Sequence, residues 1–93
     1  MSLPRGTVTI ATAGVAVQVV SSGHAVSAVT FIARNSNVGA VYIGDSSVSA
    51  GSGCELNPGD ELRLHFKETI DLRRFYVDAA NNNDKLDYAG VSA

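Results

Sequence analysis

The segment FYVDAANNNDKLDY, residues 75–88, gathers the side chains with the most chemical potential: Asp78, Asn81, Asn83, Asp84 and Asp87. Calcium is the chemistry this density of hard oxygen donors suggests, because Ca²⁺ accepts about six to eight oxygens in variable geometry. An EF-hand loop needs oxygen ligands at its first, third and fifth positions, Gly at the sixth and Glu at the twelfth. Counted from Asp78, the third residue is Ala80 and the twelfth is Ala89, so that loop is ruled out. A calcium site of another kind through Asp78, Asp84 and Asp87 stays open. The competing account is local. Asn and Asp tolerate left-handed backbone and bond to their own turns, so ANNNDK reads as a hairpin connection between two strands.

Other chemistries fit less well. Paired carboxylates could act as acid and base, but Asp45, Asp60, Asp71, Asp78 and Asp84 fall at turn positions, where solvation and capping account for them. His24 and His65 are the only histidines, too few for the histidine-rich metal site of a cupin. Cys54 is alone, which precludes an intrachain disulfide and fits folding in a reducing cytoplasm. No GxSxG elbow is present, and the glycines of GAVYIGDSSVSAGSG lack the Lys-Ser/Thr of a P-loop. No catalytic residue, metal or cofactor follows, and the expectation is a protein that is not an enzyme.

Whatever these residues do, strands must position them. In TVTIA, Val8 and Ile10 share one face. In VAVQV, Val15, Val17 and Val19 do, with Gln18 opposite. ELRLHFK puts Leu62, Leu64 and Phe66 on one side and Glu61, Arg63, His65 and Lys67 on the other. Alternation with period two marks half-buried antiparallel strands, and β-branched residues suit a pleated surface. Turn clusters fall between the runs, and Asn57-Pro58-Gly59-Asp60 suits a type II turn. The spacing predicts about eight strands, near 6–12, 15–20, 26–34, 40–44, 54–56, 61–67, 74–79 and 85–89. ETIDLRR, 68–74, allows one helical turn at most. The expected fold is an all-β, antiparallel, jelly-roll-like β-sandwich. Its core would be Val8, Ile10, Val17, Val19, Val29, Phe31, Val41, Ile43, Leu62, Leu64, Phe66, Phe75, Val77 and Leu86.

The 93 residues fit one domain, taken as 6–93, preceded by a flexible tail at 1–5 in which Met1-Ser2-Leu3 resembles an expression scar. A formal net charge of −2 with 17% charged residues leaves no basic stripe for nucleic acid; Arg73-Arg74 is the nearest approach. No apolar run approaches the ~20 residues that span a bilayer, and the N-terminus lacks a signal-peptide plan. These features predict neither a nucleic-acid nor a membrane partner.

Two surfaces stand out. In AVTFIAR, Val29, Phe31 and Ala33 face one way, yet Ala28 and Ile32 on the other face are also apolar. A strand buried on one side only would alternate more strictly. Either a loop covers it, or Ala28, Thr30 and Ile32 meet another subunit. Tyr42 and Tyr76 hold matching places in the similar segments VYIGD and FYVDA, opposite the apolar residues. They could cover the second sheet face, stack on a partner, or stack on a sugar.

The order NVGAVYIGDSSVSAGSGCELNPGDELRL followed by DLRRFYVDAANNNDKLDYAG resembles a pattern in small virion-associated structural proteins of tailed bacteriophages and prophages. The matching residues include Asn37, Gly39, Val41, Tyr42, Gly44, Val48, Gly53, Leu56, Pro58, Gly59, Leu72, Tyr76, Val77, Asp78, Ala79, Asp84, Lys85 and Tyr88. Asn83 departs from it, where the pattern tends to have Gly. Asn also accepts positive φ, so the turn should survive. The resemblance spans roughly residues 6–90. It implies a head decoration or tail-assembly component, made in the bacterial host cytoplasm and carried in the virion. Such a component acts as a homo-oligomer, often a trimer, bound to other virion proteins, with no catalytic residue and no cofactor. The alternative is a small carbohydrate-binding β-sandwich using Tyr42 and Tyr76.

Overall fold

The structure, a computed structural model, describes residues 4–21, 23, 25–49 and 51–92. Among them are eight strands: β1 (Arg5–Ile10), β2 (Val17–Gln18), β3 (Ala25–Ala33), β4 (Val41–Gly44), β5 (Cys54–Leu56), β6 (Glu61–Asp71), β7 (Tyr76–Ala79) and β8 (Asp84–Ser92). A 3-10 turn, Leu72–Arg74, follows β6 directly. The larger sheet has the order β1-β8-β3-β6 and the smaller one β2-β7-β4-β5, with every pair antiparallel. β1 pairs with β8, β2 with β7, β3 with β6 and β4 with β5. A long hairpin rolled up on itself gives this nested pairing, and it defines a jelly roll.

Alternation explains why the two sheets stack. Val8, Ile10, Val29, Phe31, Ala33 and Leu86 point inward from the larger sheet. Val41, Ile43, Leu56, Val77 and Ala79 point inward from the smaller one, and all are buried. Phe31 and Phe75 meet edge to face with ring centroids 5.2 Å apart. Pro58-Gly59 turns as its residue types dictate: Gly59 has φ 89°, and the Asp60 amide donates to the Asn57 carbonyl at 2.9 Å.

Four expectations need correcting. β2 is only two residues long, and Val15 is 57% exposed instead of joining Val17 and Val19. The chain before β2 satisfies its amides with side chains and a local turn in place of a ladder: Ala13 donates to Asn82 Oδ1, Gly14 to Asp78 Oδ1 and Val15 to the Thr12 carbonyl. β6 runs to Asp71, past the expected end at 67, and the single turn allowed within 68–74 falls at 72–74. Leu62, Leu64, Phe66, Phe75 and Val17 are half-buried, not core. β6 is an edge strand, and the close approaches between sheets are β1 with β7 and β8 with β4. At this edge Leu62 and Leu64 share an open recess with Ile43, Gly44 and Asp45 at the end of β4, so they are only partly covered. Finally, residues 4 and 5 belong to the sandwich, since Arg5 pairs with Ala89 and the Pro4 carbonyl accepts from Gly90 at 2.7 Å; Met1-Ser2-Leu3 lie outside the described residues.

Candidate functional site

The three carboxylates that suggested calcium diverge. Asp87 projects from the outer face of the larger sheet. Asp84 starts β8 on the inward side. Asp78 projects from the outer face of the smaller sheet. Each is occupied with its own partners. Asp84 is 3% exposed and accepts from Val38 N at 2.9 Å through Oδ1 and from Gly39 N at 3.0 Å through Oδ2. Asn37 completes this clamp by imitating a strand: its Oδ1 accepts from Lys85 N and its Nδ2 donates to the Lys85 carbonyl, both at 2.8 Å. Asn83 supplies the positive φ, 66°, that the turn requires. Among the described residues no three His, Cys, Asp or Glu side chains come together as a metal group; His24 lies outside those residues.

The expectation that the carboxylates are solvated holds for Asp45 and Asp60. Asp45 accepts from the Ser47 hydroxyl at 2.6 Å and the Ser47 amide at 2.9 Å, and these bonds hold its pKa below the ordinary value. Asp60 accepts from the Asn57 amide. Half-buried Asp71 caps the 3-10 turn by accepting from Arg73 N and pairs with the Arg73 guanidinium at 2.8 Å. Asp78 and Asp84 are the exceptions, since both are buried. Long-range packing causes this: Asp84 lies beneath the 35–40 connection and Asp78 beneath the connection between β1 and β2.

The structure brings Tyr42 and Tyr76 together. Tyr42 stands directly across from Asp78, and Tyr76 precedes Asp78 by two on the same strand, opposite Gly44. The tyrosines are thus diagonal neighbours on one outer face, about 7–8 Å apart along the backbone. Both are half-buried and flank Asp78, which is 1% exposed. Asp78 Oδ1 accepts from Gly14 N at 2.9 Å and Ala79 N at 2.7 Å. The two rings give this outer face flat surfaces of the kind that stack on the apolar face of a sugar, whereas Asp78 is sealed beneath the connection between β1 and β2 and spent on backbone amides.

Ala28, Thr30 and Ile32 lie on the opposite side of the molecule, along the outer face of the larger sheet. Register places Ala28 beside Val91 and His65, Thr30 beside Ala89 and Arg63, and Ile32 beside Asp87 and Glu61. A stripe of small and apolar side chains therefore runs through the middle of the sheet, with Ile32 37% exposed. Two shallow recesses, of about 550 and 420 Å³, adjoin the stripe and share Arg5 and Ala89. Its rims are charged. On one side Arg34 pairs with Asp87 at 2.8 Å while Thr7 donates to the same carboxylate at 2.6 Å. The Arg34 hydrogen bond holds the Asp87 carboxyl below its ordinary range, partial burial opposes this, and Thr7 adds to the lowering. On the other side Glu61 pairs with Arg63 at 3.1 Å.

Two features of these surfaces were not anticipated from residue order. Ala89 and Val91 extend the stripe; the predicted strand, 85–89, reached Ala89 but stopped before Val91, although YAGV carried the signal. The half-covered row on β6 was masked by its own clean alternation. Family models, curated proteins and solved structures provide no match to the chain.

Proposed function

We propose that the chain is a non-enzymatic structural subunit of a tailed-bacteriophage or prophage virion, a head decoration or tail-assembly component. It works as a homo-oligomer and docks on other virion proteins. The observation that carries this reading is the stripe of Ala28, Thr30, Ile32, Ala89 and Val91, apolar along its middle and charged at its rims. That is the anatomy of a protein–protein interface. The residues of the phage-like pattern give consistent support, because Asn37, Gly39, Asp84 and Lys85 form one clamp in the fold. Jelly rolls serve both capsids and lectins, so the fold alone favours neither. Light scattering on the purified chain should give a mass above that of one chain, and Ile32→Asp should reduce it while far-ultraviolet circular dichroism is unchanged. Proteomics of particles purified from the encoding strain should detect the chain. A monomer absent from such particles defeats the proposal.

A second reading rests on the pair Tyr42 and Tyr76, diagonal neighbours on one outer face: a small carbohydrate-binding module. Glycan-array binding that disappears when both tyrosines become Ala would favour it, and a blank array would remove it.

A further inference from the structure

We propose that the recess between β4 and β6 is a binding site for a small amphipathic acid, whose apolar body lies against Leu62, Leu64 and Phe75 and whose carboxylate pairs with Arg74. The site is separate from the Ile32 face, which lies on the other side of the larger sheet.

The recess gathers apolar side chains that the core leaves half-covered. Leu62 and Leu64 point inward from an edge strand, Ile70 follows them on that strand, and Phe75 comes in behind the 3-10 turn. With Ile43 at the end of β4, they line a recess of about 320 Å³. Sites for small ligands run from about 300 to 1,000 Å³ and are mostly apolar, with a few polar groups that fix orientation. Phe75 makes one wall rigid: its ring lies 5.2 Å from that of Phe31 and 6.3 Å from that of Phe66, centroid to centroid. A wider recess of about 850 Å³ shares Ile70 and Arg74 with the first. It opens where the ladder breaks, since Val26 pairs with Ile70 and Ala28 with His65, leaving residues 66–69 opposite Ser27 alone. Bulges at sheet edges re-aim side chains and are over-represented beside functional sites.

The charges select the ligand. Asp45 and Arg74 are the ionisable groups of the inner recess. Asp45 is spent on Ser47, whose hydroxyl and amide donate to it at 2.6 and 2.9 Å. The Arg74 guanidinium has no ion pair among the described residues. The turn explains why the two adjacent arginines differ. Asp71 caps it and takes the Arg73 guanidinium at 2.8 Å. The Phe75 amide then closes the turn onto the Leu72 carbonyl at 3.1 Å, which leaves Arg74 where the two recesses meet. In the wider recess Glu68 is outnumbered by Lys67 and Arg74, because Asp71 is already paired. An apolar hollow with one uncommitted guanidinium fits an apolar molecule bearing one carboxylate, which Arg holds through parallel hydrogen bonds. A cationic ligand would be repelled there, and a neutral one would leave the guanidinium unused.

Octanoate, titrated into the isotope-labelled full chain at neutral pH and followed by amide NMR, is the probe. It should shift the amides of Ile43, Gly44, Leu64, Arg74 and Phe75 with a millimolar dissociation constant. Octylammonium should bind about tenfold more weakly. Arg74→Glu, at an exposed position, should reverse that preference, which a misfolded chain would not do. Leu64→Trp fills the hollow and should remove both ligands, with the thermal melt showing that the domain remains folded. Equal binding of the two probes, or a preference that Arg74→Glu leaves in place, refutes the acid site. So do shifts absent from the recess, or binding that survives Leu64→Trp in a folded chain.

Discussion

Replacing Asp84 by Ala should cost a substantial fraction of the stability of this domain. The carboxylate is 3% exposed and receives two backbone amides, Val38 N at 2.9 Å and Gly39 N at 3.0 Å. Hydrogen bonds to a charged group contribute roughly 1.5–3 kcal/mol each. Val38 is 78% exposed and Gly39 is half-buried, so water can reach the freed amides and the lower end applies. The expected loss is about 3 kcal/mol. A chain of this length has a total stability of roughly 5–14 kcal/mol. At about 4–8 °C per kcal/mol, the melting temperature should fall by about 12–24 °C. Asp84→Asn retains one acceptor oxygen but turns a donor toward the other amide, so its loss should fall between wild type and Ala. Urea unfolding followed by circular dichroism, with an unchanged m-value, measures both variants. A loss below about 0.5 kcal/mol for Ala would mean that the clamp on the 35–40 connection is dispensable.

Gly59→Ala should destabilise by about 1–2 kcal/mol: its φ is 89°, and an added Cβ would lie 2.5 Å from Asn35 Oδ1. Thermal melting should show the loss, and a neutral variant would contradict the positive-φ turn. Asp87 has a folded pKa below its ordinary 3.8, chiefly through the Arg34 hydrogen bond. Its contribution is therefore complete above the unfolded value and disappears as pH falls through the lower folded value. Melting curves of wild type and Asp87→Asn should differ by a constant amount between about pH 5 and 8 and draw together as the pH falls below 3.8. A gap that persists at the acid end would show that the carboxylate acts by shape and not by charge.

The strands were legible because period two survives almost any context. Val8 with Ile10, Val29 with Phe31, and Val41 with Ile43 could hardly face solvent. Less legible was how much cover each inward face receives. Leu62, Leu64 and Phe66 alternate as cleanly as any residues here, but burial depends on what lies opposite, and β6 is an edge strand. Conversely, Val20, Val26, Leu56 and Leu72 are buried although no long alternating run announced them. The pairing of Tyr42 with Tyr76 was half-visible in the similarity of VYIGD to FYVDA; adjacency of β4 and β7 turned similarity into proximity. Asp84 was hidden for another reason. Its partners lie more than forty positions away, at Val38 and Gly39, and a carboxylate next to three asparagines looks like surface until they are placed.

The nested pairing of strands also has a consequence for synthesis. Arg5 stands opposite Ala89 and Ile10 opposite Asp84, so β1 finds its seat only against β8. While a ribosome is still reading the middle of the message, β1 has nowhere to dock. A chain dominated by such distant contacts is expected to fold on a millisecond-to-second scale. β8 lies between β1 and β3 and joins them into one sheet. A chain cut before Asp84 would therefore strand β1 along with the missing β8, and such a product should be swept up by proteases as an unfolded chain.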